Sequence, residues 1–159
     1  MKIGFDLHGV LNINPKEFQS LLKELVQDHH EIIVVSGPQI SEVIEELTNL
    51  GFHAGTHYHE VLSVVTYLKH EGIEMWQDEK GTWWANDDDW WQSKARICKQ
   101  NNINVMVDDH HQYGRYFAST SIAADTRFIL YSPFLFPRLK EIIYSIRFDK
   151  PINCDYFKD

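Results

Sequence analysis

The chain has 159 residues, of which 43 % are apolar and 24 % charged, and its net charge is −8 with neutral histidines. That length and balance suit a folded globular chain with one hydrophobic core and argue against disorder. The acidic excess opposes broad nucleic-acid binding and docking on anionic membranes, since both partners are polyanions.

Lys2 to Leu7 (KIGFDL) is a short apolar run ending at a carboxylate, the pattern of a buried strand with polar chemistry at its C-terminal end. Asp6 and His8 interrupt the apolar stretch of MKIGFDLHGVL, so it does not read as a signal peptide. Asn14-Pro15 marks a turn and a helix start, followed by Phe18, Leu21, Leu22, Leu25 and Val26 at helical spacing. Glu31 to Ser36 (EIIVVS) predicts a strand buried on both faces, broken by Gly37-Pro38. A second helix carries Ile40, Val43, Ile44 and Leu47 on one face and ends at Gly51. Strand, helix, strand, helix is the order of an α/β parallel sheet.

The middle is less regular. Residues 53–59 predict a loop or short strand, and residues 60–70 (EVLSVVTYLKH) a helix. IEMWQDEKGTWWA at 73–85 predicts a hairpin turning at Glu79-Lys80-Gly81. Asp87, Asp88 and Asp89 open a helix that runs to about Asn101, with one of them a candidate N-cap. Ile103 to Val107 is a third apolar strand, ending at Asp108-Asp109, and a short helical segment follows around Tyr113 to Phe117. Arg127 to Tyr131 is a fourth strand, and after Ser132-Pro133 a last helix uses Leu135, Leu139, Ile142, Ile143 and Ile146. No run approaches the ~18 apolar residues of a membrane span, so no membrane partner and a cytoplasmic location are expected. Two cysteines, Cys98 and Cys154, are too few for a disulfide framework; Cys98, in an amphipathic helix, reads as a reduced and partly buried thiol.

Asp6 with His8, Ser36, and Asp108 with Asp109 all fall at strand ends. In an open parallel sheet, ligands bind outside the carboxyl ends of the strands. Bringing these ends together places several carboxylates and one hydroxyl in one crevice. Clustered carboxylates repel and call for a cation, and a few hard oxygen ligands select Mg²⁺.

These residues carry a resemblance. FDLHGVL at 5–11 resembles the first motif of haloacid dehalogenase-like hydrolases, Asp-x-Asp-Gly-(Val/Thr)-Leu after an apolar strand. VVSG at 34–37 resembles the second motif, Lys94 matches the third-motif lysine, and VMVDDH at 105–110 resembles the fourth. The resemblance covers the core sheet; residues 52–86 and 133–159 carry no motif of it. It implies that Asp6 attacks phosphorus and becomes an aspartyl-phosphate. It also implies that Ser36 donates to the phosphoryl group, with Gly37 beside it, and that Lys94 balances charge on Asp6 and the phosphate. Asp108, Asp6 and the His8 carbonyl would hold Mg²⁺, supported by Asp109, and His110 would contact substrate. Position 8 is aspartate in typical phosphatases of that superfamily, where it protonates the leaving oxygen. Here it is His8, an imidazole that changes charge near neutral pH and serves as a substitute acid/base, or else a position without a catalytic part.

Plainer roles stand beside these. Asp6 and Ser36 suit turns, and Lys80 and Lys99 compete with Lys94 for the active-site lysine. Asp109 suits a solvated or capping position. His57 with His59, and His110 with His111, offer a second metal site of unfamiliar spacing. Trp83, Trp84, Trp90 and Trp91 serve either as core packing or as a stacking platform for a base or sugar. The expected fold is α/β, a three-layer Rossmann-like sandwich with a central parallel sheet, one domain over 1–159, and the helix and hairpin within 52–86 as candidate lid. The expected function is a Mg²⁺-dependent phosphatase of a small phosphomonoester, a nucleotide or sugar phosphate. A relative that binds Mg²⁺ and a phosphorylated ligand without turnover is the alternative, and a protein-interaction module the third reading. A homodimer stays open.

Overall fold

The computed structural model describes residues 1–123 and 125–148. Cys154 lies outside the described residues. In chain order the elements are β1 (Lys2–Phe5), α1 (Pro15–Gln27), β2 (Glu31–Ser36), α2 (Ile40–Asn49), β3 (Glu60–Ser63), α3 (Val64–His70), β4 (Met75–Gln77), β5 (Trp83–Ala85), α4 (Asp87–Gln100), β6 (Val105–Asp108), α5 (His111–Gly114), α6 (Thr120–Ala123), β7 (Arg127–Leu130) and α7 (Phe136–Phe148). Five strands form one parallel sheet in the order β3-β2-β1-β6-β7, and β4 and β5 form a separate antiparallel hairpin.

The sheet's centre is buried on both faces because β1, β2 and β6 carry apolar residues on both sides rather than at alternate positions. In β2, Ile32 and Val34 point to one side, Ile33 and Val35 to the other, and all four are buried. On the first side pack Phe18, Leu22 and Leu25 of α1, Val43 and Leu47 of α2, and Leu139 and Ile143 of α7. On the second pack Val64 and Leu68 of α3 and Ala95, Ile97 and Cys98 of α4. The result is a three-layer α/β sandwich. Cys98 is a free thiol with no exposed surface, and burial pushes its pKa up, so it stays neutral and inert.

Three expectations are corrected. Residues 60–70 are not one helix, since 60–63 form edge strand β3. Val61 pairs with Val34 and Ser63 with Ser36, and this ladder to β2 outcompetes local helical hydrogen bonds. Ser63 then ends the strand and caps α3, its hydroxyl accepting from the Thr66 N–H at 3.0 Å. The cap of α4 is Asn86, which accepts from the Asp89 N–H at 3.0 Å; Asp87, Asp88 and Asp89 occupy the first turn, where the helix dipole favours negative charge. Ile44 of α2 is 42 % exposed and lies off the packed face.

Phe18 anchors the first layer, touching Phe5, Tyr131 and Phe136 edge-on with centroids 6.2, 5.5 and 5.0 Å away. Phe18→Ala is expected to cost about 3–5 kcal/mol, read as a lowered urea midpoint with an unchanged slope.

Candidate functional site

Strand order locates the crevice. From β1 the chain builds outward through β2 to β3, then crosses back to add β6 and β7 on the other side of β1. The reversal between β1 and β6 opens a gap at their carboxyl ends, where ligands of open α/β sheets bind. Register sets what stands there. Phe5 pairs with Val107, and the Asp6 N–H donates to the Val107 carbonyl at 2.9 Å, so Asp6 and Asp108 emerge side by side. Ser36 closes β2 on the other flank of β1.

Between the two carboxylates sits Lys94, delivered from the sheet-facing side of α4. Its ammonium donates to Asp6 Oδ2 at 2.9 Å and to Asp108 Oδ2 at 2.5 Å, and all three residues are buried. The other oxygens are satisfied by backbone: Asp6 Oδ1 accepts from the Leu7 N–H, and Asp108 Oδ1 from the His110 N–H, each at 2.8 Å. A buried ammonium is normally pushed towards neutrality, but the two carboxylates reverse this and hold the Lys94 pKa above its ordinary value. Burial works the other way on Asp6, raising its pKa to about 6 despite Lys94, with the charge of Asp108 adding to the rise. Asp6 is therefore mostly ionised at neutral pH, a carboxylate that needs no base to deprotonate it.

Asp109 completes a cluster. Asp6, Asp108 and Asp109 each offer an oxygen within 4.8 Å of the others, the one such group of metal-binding side chains among the described residues. Gly9 makes room for it. The segment Leu7–Leu11 is a wide turn in which Gly9 has φ +79°, and a Cβ there would lie 2.1 Å from Asp109 Oδ2. Only glycine offers both the conformation and the space. Three carboxylates against one ammonium leave an excess of negative charge, which a divalent cation on these hard oxygens would offset.

His8 is exposed, and its ring is held between α2 and the end of β2. Its Nε2 lies 2.8 Å from Glu46 Oε2, and Nδ1 lies 3.5 Å from Ser36 Oγ. The carboxylate assigns the proton to Nε2, leaving Nδ1 to accept from the Ser36 hydroxyl. Ser36 itself is fully buried, while Gly37 and Pro38 form the cleft wall beyond it. The cleft is open, about 280 Å³, and its lining includes Asp6, His8, Lys94, Asp109, His110 and Tyr113.

Tyr113 and Glu46 had no signal in the motif pattern. Tyr113 places its ring 4.4 Å from the Lys94 ammonium, and its hydroxyl pKa is raised by burial, so it remains a neutral phenol. His110 stacks on Trp91 with centroids 4.7 Å apart, which fixes the ring at the rim. The rival lysines lie elsewhere: Lys99 donates to the Ser121 carbonyl, and Lys80 sits at the hairpin tip. His57 and His59 serve the backbone, accepting from the His53 and Ile32 N–H groups at 2.9 Å each.

Two outcomes are expected in metal-free buffer. The native Asp6 pKa of about 6 exceeds the unfolded value of ~3.9, so the native state binds more protons between these limits. Its contribution to stability is greatest below pH ~4 and is lost as pH rises to ~6. Urea midpoints of wild type minus Asp6→Asn across that range should show this slope, and a flat difference would refute it. Lys94→Met leaves two buried carboxylates uncompensated and should cost about 3–5 kcal/mol at pH 7, with much of the loss restored by also introducing Asp6→Asn.

Neither protein-family models nor curated proteins match this sequence.

Proposed function

We propose that the chain is a Mg²⁺-dependent phosphatase of the haloacid dehalogenase-like kind, hydrolysing a small phosphomonoester through an aspartyl-phosphate at Asp6. The observation that carries this reading is the buried Asp6–Lys94–Asp108 array with Asp109 beside it at the sheet's reversal point. A buried ion pair is weak as a stabilising device, so its presence in a crevice favours a role in chemistry.

The residues divide the work. Asp6 attacks phosphorus, the bond from phosphorus to the ester oxygen breaks, and that oxygen takes up a proton. Water then attacks the acyl phosphate, releasing inorganic phosphate and regenerating the Asp6 carboxylate. Lys94 uses two of its three N–H donors on Asp6 and Asp108, and the third is the candidate donor to the phosphoryl group. Asp6, Asp108 and Asp109, together with the His8 carbonyl, would hold Mg²⁺, which supplies Lewis-acid stabilisation of charge on the phosphoryl oxygens. His8 is the candidate acid and base, with Glu46 orienting its ring. Because phosphoryl transfer depends mainly on positioning and electrostatics, this short set of groups is sufficient. Absence of a long apolar helix among the described residues accords with a substrate met in water.

One observation favours a second reading, in which the chain binds Mg²⁺ and a phosphorylated ligand without turnover. Both ring nitrogens of His8 already have partners in Glu46 and Ser36, so a proton shuttle must break one contact.

Phosphate release from a panel of nucleotide and sugar phosphates, with and without Mg²⁺, separates the two. Mg²⁺-dependent release by wild type, lowered at least ~10³-fold by Asp6→Asn, is the outcome expected of a covalent nucleophile. Release by His8→Asp with none from wild type would instead establish the binding reading, and silence from both folded proteins would overturn hydrolysis of these esters.

A further inference from the structure

A second lobe of about 240 Å³ adjoins the carboxylate cleft, and Gly37 and Pro38 line both. Taken together the two fall in the ~300–1,000 Å³ range of small-molecule sites. A Cβ at position 37 would lie 3.9 Å from Trp90 Cζ2, an ordinary contact, so Gly37 and Trp90 are neighbours at the border of the two lobes. The walls of the second lobe are largely carbon: Pro38, Val65 and the indoles of Trp83 and Trp90. Its polar groups are few and of both kinds, with Lys80 and Thr82 as donors from the hairpin and the Glu42 carboxylate as acceptor from α2.

The hairpin is built to hold this arrangement. Asp78 accepts from the N–H groups of Lys80 and Thr82 and from Trp84 Nε1, at 2.9, 3.0 and 3.0 Å, fixing the tip that carries Lys80. Lys69 covers one face of Trp83, 3.8 Å from the ring centroid. The Trp83 N–H is buried yet finds no acceptor among the described residues, unlike most buried donors. Trp90 links the lobe to the reacting groups, because its side chain stands close enough to the Tyr113 hydroxyl to act on its ionisation and the Tyr113 ring lies against the Lys94 ammonium.

We infer that this lobe binds the base of a nucleoside, so that the substrate of the Asp6 centre is a nucleoside monophosphate rather than a plain sugar phosphate. The inference rests on the phosphatase reading for the chemistry at Asp6. A nucleobase has two π faces for indole and proline walls and a polar edge for a few mixed donors and acceptors. A sugar would bring many hydroxyls against Val65 and Pro38, where most would lose water without gaining a partner.

The test uses the full chain and two readouts. Isothermal titration with adenosine, guanosine, cytidine and uridine against ribose needs neither metal nor turnover. At least one nucleoside should bind roughly tenfold or more tighter than ribose, the contribution of one base stack. Trp83→Leu should weaken that nucleoside by about fivefold or more. Lys80→Glu, at an exposed hairpin tip, should weaken it too and keeps the test valid if Trp83→Leu fails to fold. In parallel, kcat/KM for nucleoside monophosphates should exceed that for ribose 5-phosphate, with the Trp83→Leu loss falling more heavily on the nucleotide. Nucleosides no tighter than ribose, or unchanged by both variants, would overturn the inference even if phosphate is released. Tight nucleoside binding with no phosphate release from any ester would uphold the lobe and overturn hydrolysis alone.

Discussion

A fully buried ammonium held between two buried carboxylates is the interaction around which this molecule is arranged. Each ion loses several kcal/mol of hydration on entering the interior, and mutual attraction returns that only with close geometry. The geometry is close here because three separate elements meet at one point. Asp6 leaves β1, Asp108 leaves β6, and Lys94 projects from the buried side of α4. Apolar residues in those places would pack at least as well, so the array is costly as a scaffold and meaningful as a site. Its charges do not close either: with Asp109 the cluster stays negative, an excess that a cation would offset.

The surroundings are matched to that centre. The sheet beneath is buried on both faces, which holds the strand ends in position, while turns above it complete the cleft. Gly9 lets the turn after β1 pass against Asp109. Trp91 immobilises His110, and Tyr113 roofs Lys94. Water is thereby limited on one flank of the carboxylates, which strengthens their interactions with charge. His8 is the exception to this enclosure. It stands exposed and is held from α2 by Glu46, a contact made across 38 residues of sequence. Its imidazole lines the cleft but does not belong to the three-aspartate group.

The hairpin gives the cleft its second wall. Trp83, Trp84 and Trp90 gather where the hairpin meets α4, with the Trp84 and Trp90 rings 5.5 Å apart. Part of this is core packing, since Met75 and Ala85 join the layer beneath the sheet. Trp83, on the same hairpin face as Met75 and Ala85, lines the opening, while Trp76 and Trp84 on the opposite face stay partly in water at 52 % and 38 % exposure.

The α/β class, the strands β1, β2, β6 and β7, and Asp6, Asp108 and Asp109 as one candidate constellation are legible in the sequence. Unbroken β-branched runs are a local property, and a carboxylate directly after such a run needs no distant partner to be noticed. Tertiary structure alone decided what depends on contacts far apart in the chain. Residues 60–63 became a strand because the free edge of β2 offered a ladder, although their own pattern suits a helix. Lys94 rather than Lys80 or Lys99 met the carboxylates because α4 turns that one face to the sheet. Glu46 beside His8, Tyr113 over Lys94, and the aromatic lobe beyond Gly37 followed from how helices and hairpin pack, and a side chain's partner across a packed interface is a non-local quantity that spacing along the chain does not encode.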